Sequence, residues 1–276
     1  MDKPVIHPIS EKRINLTVKN MPQSMLLSGQ KRVGLSTIAK YIANLRKITP
    51  TIILPEKDEK IDIDKGIISV EIMRRLYDET RTKTADERII IIDYAQRMTT
   101  QAQNAFLKLL EEPGDNVYFI LVSNTTSKLL PTIISRTENL DIKPITDKQS
   151  NELLDKLGVT DKTKRSQLLF MASGSPAELT VLADDKDYFE KRSEMMRDAR
   201  ELISGNLYKK LLIANRYKDD RTNALQLLTD AANMLKKSIF ARPQTDSIAY
   251  IDKLLKAYQR IEANGNIRLC LASMSI

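Results

Sequence analysis

The stretch Gly29-Gln30-Lys31-Arg32-Val33-Gly34-Leu35-Ser36-Thr37 has the spacing of a phosphate-binding loop, GxxxxGK[ST], with leucine where the lysine belongs. In such a loop the glycines let backbone N–H groups curl around a phosphate. The Ser/Thr hydroxyl reaches a magnesium ion, and the lysine holds the β/γ-phosphates as a point charge. Gly29, Gly34, Ser36 and Thr37 keep the backbone and hydroxyl parts of that chemistry, while Leu35 removes the charge. Asp93, after isoleucines 89–92, stands where a loop of this kind is partnered by a carboxylate that helps to hold magnesium. Tyr94 follows it, and a phenol with a pKa of about 10 is no general base at neutral pH.

The surrounding pattern supplies the elements such groups require. Residues 24–28 form a short apolar run ending at Gly29, and Ile38, Tyr41 and Ile42 recur at helical spacing after Ser36, so strand, loop and helix follow in order. A plain strand-to-helix turn has the same local signature. Residues 51–54 and 61–63 are further strand candidates, and 67–80 place Ile68, Ile72, Met73 and Leu76 on one helical face. The run 88–93 is too uniformly apolar and β-branched for a half-exposed strand and predicts a central parallel strand covered on both faces. Residues 99–112 predict a helix with Ala102, Ala105, Phe106, Leu109 and Leu110 on one face and Thr100 and Gln103 at capping-box spacing. Pro113-Gly114 ends it, and 117–122 is the next buried strand. This βαβ rhythm predicts an α/β fold, a parallel sheet with helices on both faces.

After about residue 145 the strand patterns stop. Short helices are expected over 147–157, 162–172 and 176–183, punctuated by Gly158 and Gly174-Ser175-Pro176. Longer ones are expected from about 198. Leu225, Leu228, Ala231, Ala232, Leu235 and Ile239 form one stripe, and Ile248, Ile251, Leu254, Leu255, Tyr258 and Ile261 another. Such stripes close a helical bundle or present a face to neighbouring subunits.

A chain of 276 residues without tryptophan and poor in phenylalanine suits helix-rich packing in more than one modest domain. A single cysteine, Cys270, excludes an internal disulfide and a multi-cysteine zinc site, and His7 alone leaves no Cys/His metal cluster. Neither a membrane-spanning apolar stretch nor a signal-peptide layout after Met1-Asp2-Lys3-Pro4 is visible, so a cytoplasmic protein without membrane attachment is expected. The net charge of +8 suits an acidic partner such as nucleic acid, or simply solubility.

Two stretches are more specific. Ala102-Gln103-Asn104-Ala105-Phe106-Leu107-Lys108-Leu109-Leu110-Glu111-Glu112-Pro113 and Leu130-Pro131-Thr132-Ile133-Ile134-Ser135-Arg136 closely resemble the clamp-loader family of AAA+ proteins, in particular the bacterial DNA polymerase III δ′ and γ/τ subunits. In that family a glutamate that polarises water follows the Asp, and here Tyr94 replaces it. A polar residue after the next strand senses the γ-phosphate, where this chain has Ser123-Asn124. The arginine of the family's Ser-Arg-Cys element is a finger inserted into the ATP site of the adjacent subunit. Ser135 and Arg136 match it, with Thr137 in place of the cysteine. A finger is worth roughly 10³–10⁵ in rate; the local alternative is that Arg136 caps the short helix expected over 128–135. Residues 174–179 resemble a lid element whose nucleotide-contacting arginine is here Ala177, and Gly265-Asn266-Ile267-Arg268-Leu269 resembles the start of the last collar helix. The four-cysteine zinc module of many bacterial relatives is missing.

The resemblance implies an AAA+ core over 1–145 with a degenerate P-loop, a helical lid over 146–197 and a helical collar over 198–276. It implies a δ′-like clamp-loader subunit of DNA polymerase III, not an enzyme by itself, that supplies Arg136 in trans. Its partners would be γ/τ-like and δ-like subunits and, through the complex, the sliding clamp and primer-template DNA. No cofactor is required and no zinc is expected; Gly29, Gly34, Ser36, Thr37 and Asp93 are what remains for binding ATP and magnesium. One alternative is a γ/τ-like ATPase in which Lys31 or Arg32 swings in for the missing lysine. Another is a basic DNA-binding protein that uses the fold for phosphate contacts.

Overall fold

A computed structural model describes residues 3–63, 65–81, 86–241 and 245–275, divided into two compact units, residues 1–184 and 185–276. The first holds strands β1 (Ser24–Gly29), β2 (Thr51–Ile53), β3 (Glu56–Lys57), β4 (Lys60–Ile61), β5 (Arg88–Ile92), β6 (Val117–Ser123) and β7 (Glu138–Ile142). Five of them form one sheet in the order β2-β5-β6-β1-β7, and every pairing in it is parallel. Alternate side chains of a strand point to opposite faces, and the isoleucine run uses both. Ile89 and Ile91 pack with Met25, Leu27, Ile38 and Ile42 on one face. Ile90 and Ile92 pack with Leu26, Met73, Phe106 and Phe119 on the other. The helices Pro8–Lys19 and Leu35–Leu45 cover the first face, and Val70–Arg81 and Thr100–Glu111 the second. The expected two-faced parallel sheet is therefore present.

Several local expectations shift. Residues 61–63 are not a sheet strand: β4 pairs only with β3 in a small antiparallel hairpin, and Ile61 is exposed. Ile68 precedes its helix, which begins at Val70, and is buried in a bridge to Met98. Thr99, not Thr100, caps Thr100–Glu111, its hydroxyl accepting from the Ala102 amide. The short helix expected over 128–135 is a 3₁₀ turn, Thr126–Lys128, followed by Pro131–Ile134. Strand β7 has no counterpart among the expected strands. Its residues are mostly polar and exposed, as fits an edge strand, and only Leu140 and Ile142 face the core.

Three helices close the first unit, Asp147–Lys156, Lys162–Ala172 and Pro176–Asp184, each within a residue of its expected span. The boundary expected at 197/198 falls inside the continuous helix Lys186–Ser204, and the division into compact units lies at 184/185 instead. The second unit adds Leu207–Arg216, Arg221–Ala241, Thr245–Glu262 and Ile267–Ala272. Leu227, Leu228, Ala231, Leu254 and Ile261 form its core. That core also encloses an ion pair: Arg192 donates to Asp230 at 2.7 and 3.2 Å, with both side chains under one-tenth exposed. A charge buried this deeply is tolerable only while paired. Asp230→Ala is therefore expected to destabilise the helical unit by about 3–5 kcal/mol, read by chemical denaturation; a loss under about 1 kcal/mol would remove the pair from the account.

Candidate functional site

Three segments meet at the carboxyl ends of the central strands, where ligands of open α/β sheets are held. They are the loop after β1, Asp93 after β5 and Asn124 after β6. Gly29 is required there, since a Cβ would stand 2.8 Å from the Ile142 carbonyl. Gly34 lies at φ +93 and opens the helix Leu35–Leu45, a left-handed conformation that favours glycine. The backbone frame of a phosphate loop thus survives.

Its contents have changed. Leu35 is 7% exposed and packs with Val33 in the core beneath the loop. Ser36 donates its hydroxyl to Asp93 Oδ1 at 2.9 Å, so the two groups expected to face magnesium are joined to each other. Thr37 is exposed. The same Asp93 oxygen accepts from the Tyr94 amide at 3.0 Å. Burial pushes the Asp93 carboxyl above the usual carboxylate range, against the Ser36 hydroxyl, the Tyr94 amide and Lys40, which pull it down. Tyr94 sits in the left-handed region at φ 57, half-buried. Buried Ser123 accepts from the Thr125 amide, and Asn124 accepts from Gln96 and from the Thr125 hydroxyl, each at 3.1 Å.

The remaining contacts come from the segment after Ala172. Gln30 donates to the Ser175 hydroxyl at 2.6 Å and to the Ser173 carbonyl at 3.2 Å. Ser175 in turn donates to the Lys31 carbonyl at 3.3 Å. Arg32, at φ 63, forms an ion pair with Glu178, whose side chain is 9% exposed. Gly174, at φ +77, packs the start of this segment against residues 144–145, where a Cβ would meet the Ile145 carbonyl at 2.8 Å. Ala177 is exposed. A triphosphate needs a point charge and open amides in this loop. The lysine's charge is missing at Leu35, and the loop's one arginine, Arg32, is already paired with Glu178, so the side chains present fit magnesium nucleotide poorly. Gln30, Ser175 and Glu178 each lie in a stretch the sequence marks, but nothing in either stretch signals that the two meet.

Arg136 lies elsewhere. In the parallel register Met25 pairs with Glu138 and Gly29 with Ile142. Arg136, just before β7, is therefore at the amino edge of the sheet, and the loop is at the carboxyl edge. About four residues of strand, ~13 Å, separate the two edges. Its guanidinium donates to the Thr132 carbonyl at 3.3 Å, as the capping alternative expects, and pairs with Glu111 at 2.8 Å. The pair is exposed, with the two side chains 41% and 53% accessible. Such surface pairs contribute only about 0–1 kcal/mol, so Arg136 can exchange Glu111 for another anion at little cost. Ser135 donates to the same Thr132 carbonyl. Gln103 fixes this corner: it is buried, donates to the Met98 and Lys128 carbonyls, and accepts from the Leu130 amide at 2.7 Å. Its spacing from Thr100 suggests capping; its real task is to hold the turn that leads into Pro131–Ile134.

Part of this chain is similar in sequence to known proteins. Residues 46–146 match the family model described as DNA polymerase III, delta subunit. Over 111 residues the chain is 31% identical to DNA polymerase III subunit delta′ of Bacillus subtilis (strain 168), covering 40% of this chain and 33% of that protein. Over 102 residues it is 30% identical to subunit gamma/tau of Mycobacterium tuberculosis (strain H37Rv), covering 35% and 18%. The chain thus matches about a third or less of the length of these curated relatives. Among solved structures, a gamma subunit-related protein from Thermotoga maritima aligns over 96% of this chain and 97% of its own, with TM-score 0.50 and 17% identity. The RuvB Holliday junction branch migration motor of the same organism aligns over 85% and 76%, with TM-score 0.51 and 14% identity. At these identities the structural matches establish the fold alone.

The Asp93 environment has a measurable consequence. A carboxyl raised on folding binds its proton more tightly in the folded state than in the unfolded chain. Its contribution favours folding below the unfolded value and is lost as pH rises through the folded one. Asp93→Asn keeps an oxygen acceptor for Ser36 and Tyr94 without the charge. It is expected to melt higher than the native protein at about pH 7, the gain shrinking as pH falls toward about 4. Melting curves across that range check this, and an asparagine variant less stable at neutral pH would contradict it.

Proposed function

We propose that this chain, which over residues 46–146 is similar to the clamp-loader subunits of DNA polymerase III, is a δ′-like subunit that hydrolyses no ATP itself and supplies Arg136 in trans to a neighbouring ATPase subunit. The observation that carries the reading is the opposition of the two sites across one parallel sheet. Arg136 stands at the edge away from the chain's own loop, exposed and held only by a surface pair and a helix carbonyl. An arginine so placed serves an anion on another molecule. The loss of catalytic charge at Leu35 and of a general base at Tyr94 supports a subunit without its own turnover. The alternative in which Arg32 replaces the missing lysine is disfavoured by its ion pair with Glu178.

The neighbours would be γ/τ-like and δ-like subunits, with the sliding clamp and primer-template DNA reached through the complex, in the cytoplasm. Among the described residues no helix is long and apolar enough to cross a membrane. Apolar side chains left exposed in the helical unit, including Leu207, Tyr208, Leu255 and Leu269, favour subunit contacts there over a closed bundle.

Two assays test the proposal. The purified chain is expected to show no ATP turnover. In the reconstituted complex, Arg136→Ala is expected to slow hydrolysis at the site it serves by roughly 10³-fold or more, with the melting curve of the isolated chain nearly unchanged. Full ATPase activity in the variant complex would remove the finger role.

A further inference from the structure

We infer that Glu178 is a built-in anion that latches the segment after Ala172 onto the phosphate loop and keeps phosphate ligands out of it. The inference deepens the proposal of a subunit without its own nucleotide and rests on it. The side chains of Ser175, just before Pro176–Asp184, and of Glu178, in its first turn, both turn to the loop. Ser175 is bonded to Gln30 and to the Lys31 carbonyl, and Glu178 to Arg32. A carboxylate paired with the loop's own arginine presents the charge that a phosphate oxygen would present, already attached to the chain. Charge-assisted pairs of this kind are among the stronger hydrogen bonds. Glu178 is also desolvated, so it cannot be left unpaired without a large penalty. Any phosphate that claims Arg32 must therefore take it from a carboxylate that water barely reaches. An acidic residue at the start of a helix is favourable for local reasons too, and the test must separate the two roles.

Binding of magnesium ATP and of inorganic pyrophosphate to the full chain separates them, because a purely local role for Glu178 does not alter ligand affinity. Glu178→Gln, which keeps the side-chain shape and removes the charge, is expected to bind one or both ligands roughly 5–150-fold more tightly than the native protein, the span of typical couplings between sites. Adding Arg32→Ala to that variant should abolish the gain. Amide exchange over residues 173–179 should quicken in Glu178→Gln, as the latch loosens. Equal affinity for both ligands in the native and Glu178→Gln proteins, each folded by its melting curve, overturns the latch. Should Glu178→Gln fail to fold, Gln30→Ala cuts the other tie at an exposed residue. A smaller gain there supports the latch and no gain overturns it. Failure of the arginine-finger assay leaves these results standing, since they concern the isolated chain and not hydrolysis by a neighbour.

Discussion

Polar groups withdrawn from water must find partners, and around the loop after β1 the buried Asp93, Ser175 and Glu178 find theirs within the chain. Ser36 is joined to Asp93, Asn124 to Gln96, Gln30 to Ser175 and Arg32 to Glu178. A loop built for a phosphate depends on its ligand to satisfy amides and cations. Here the adjoining segment pairs the loop's arginine and bonds the Gln30 side chain and the Lys31 carbonyl, and Leu35 sits with the core instead of pointing a charge at solvent. The frame persists because the sheet needs it: Gly29 is dictated by the Ile142 carbonyl of the neighbouring strand, whatever the loop binds.

Sheet polarity then separates two kinds of chemistry. Parallel strands gather the loop, Asp93 and Asn124 at one edge and leave the turn before β7 at the other. Gln103, buried beneath that turn, makes the geometry of Arg136 a property of the core. The exposed pair with Glu111 is too weak to commit the guanidinium. One edge is therefore closed in on itself while the other stays available, and a δ′-like role needs that combination.

Where apolar period and burial coincided, the sequence was readable. The run of isoleucines divides between two cores as its uniform composition demands, and the three short helices after residue 145 are punctuated by residues that set their ends. The missing lysine and the Ser-Arg pair were likewise legible, because they are departures from or matches to a fixed spacing. Strand β7 was not, since a polar edge strand carries little apolar signal. The cap of Thr100–Glu111 was misplaced by one residue because Thr99 and Thr100 are chemically alike, and Gln103 was given a local bond when a distant turn offered better partners. The ties from Gln30 and Arg32 span more than a hundred residues. No local pattern encodes them.

On the proposed reading, the loop after β1 needs no nucleotide to occupy it. Amide hydrogen exchange of residues 29–37 in the native chain, with and without magnesium ATP at a concentration that protects the Glu178→Gln loop, checks this, because those amides are the groups a bound phosphate would protect. Identical exchange is expected in both conditions. Exchange slowed at the loop amides by ATP would contradict it.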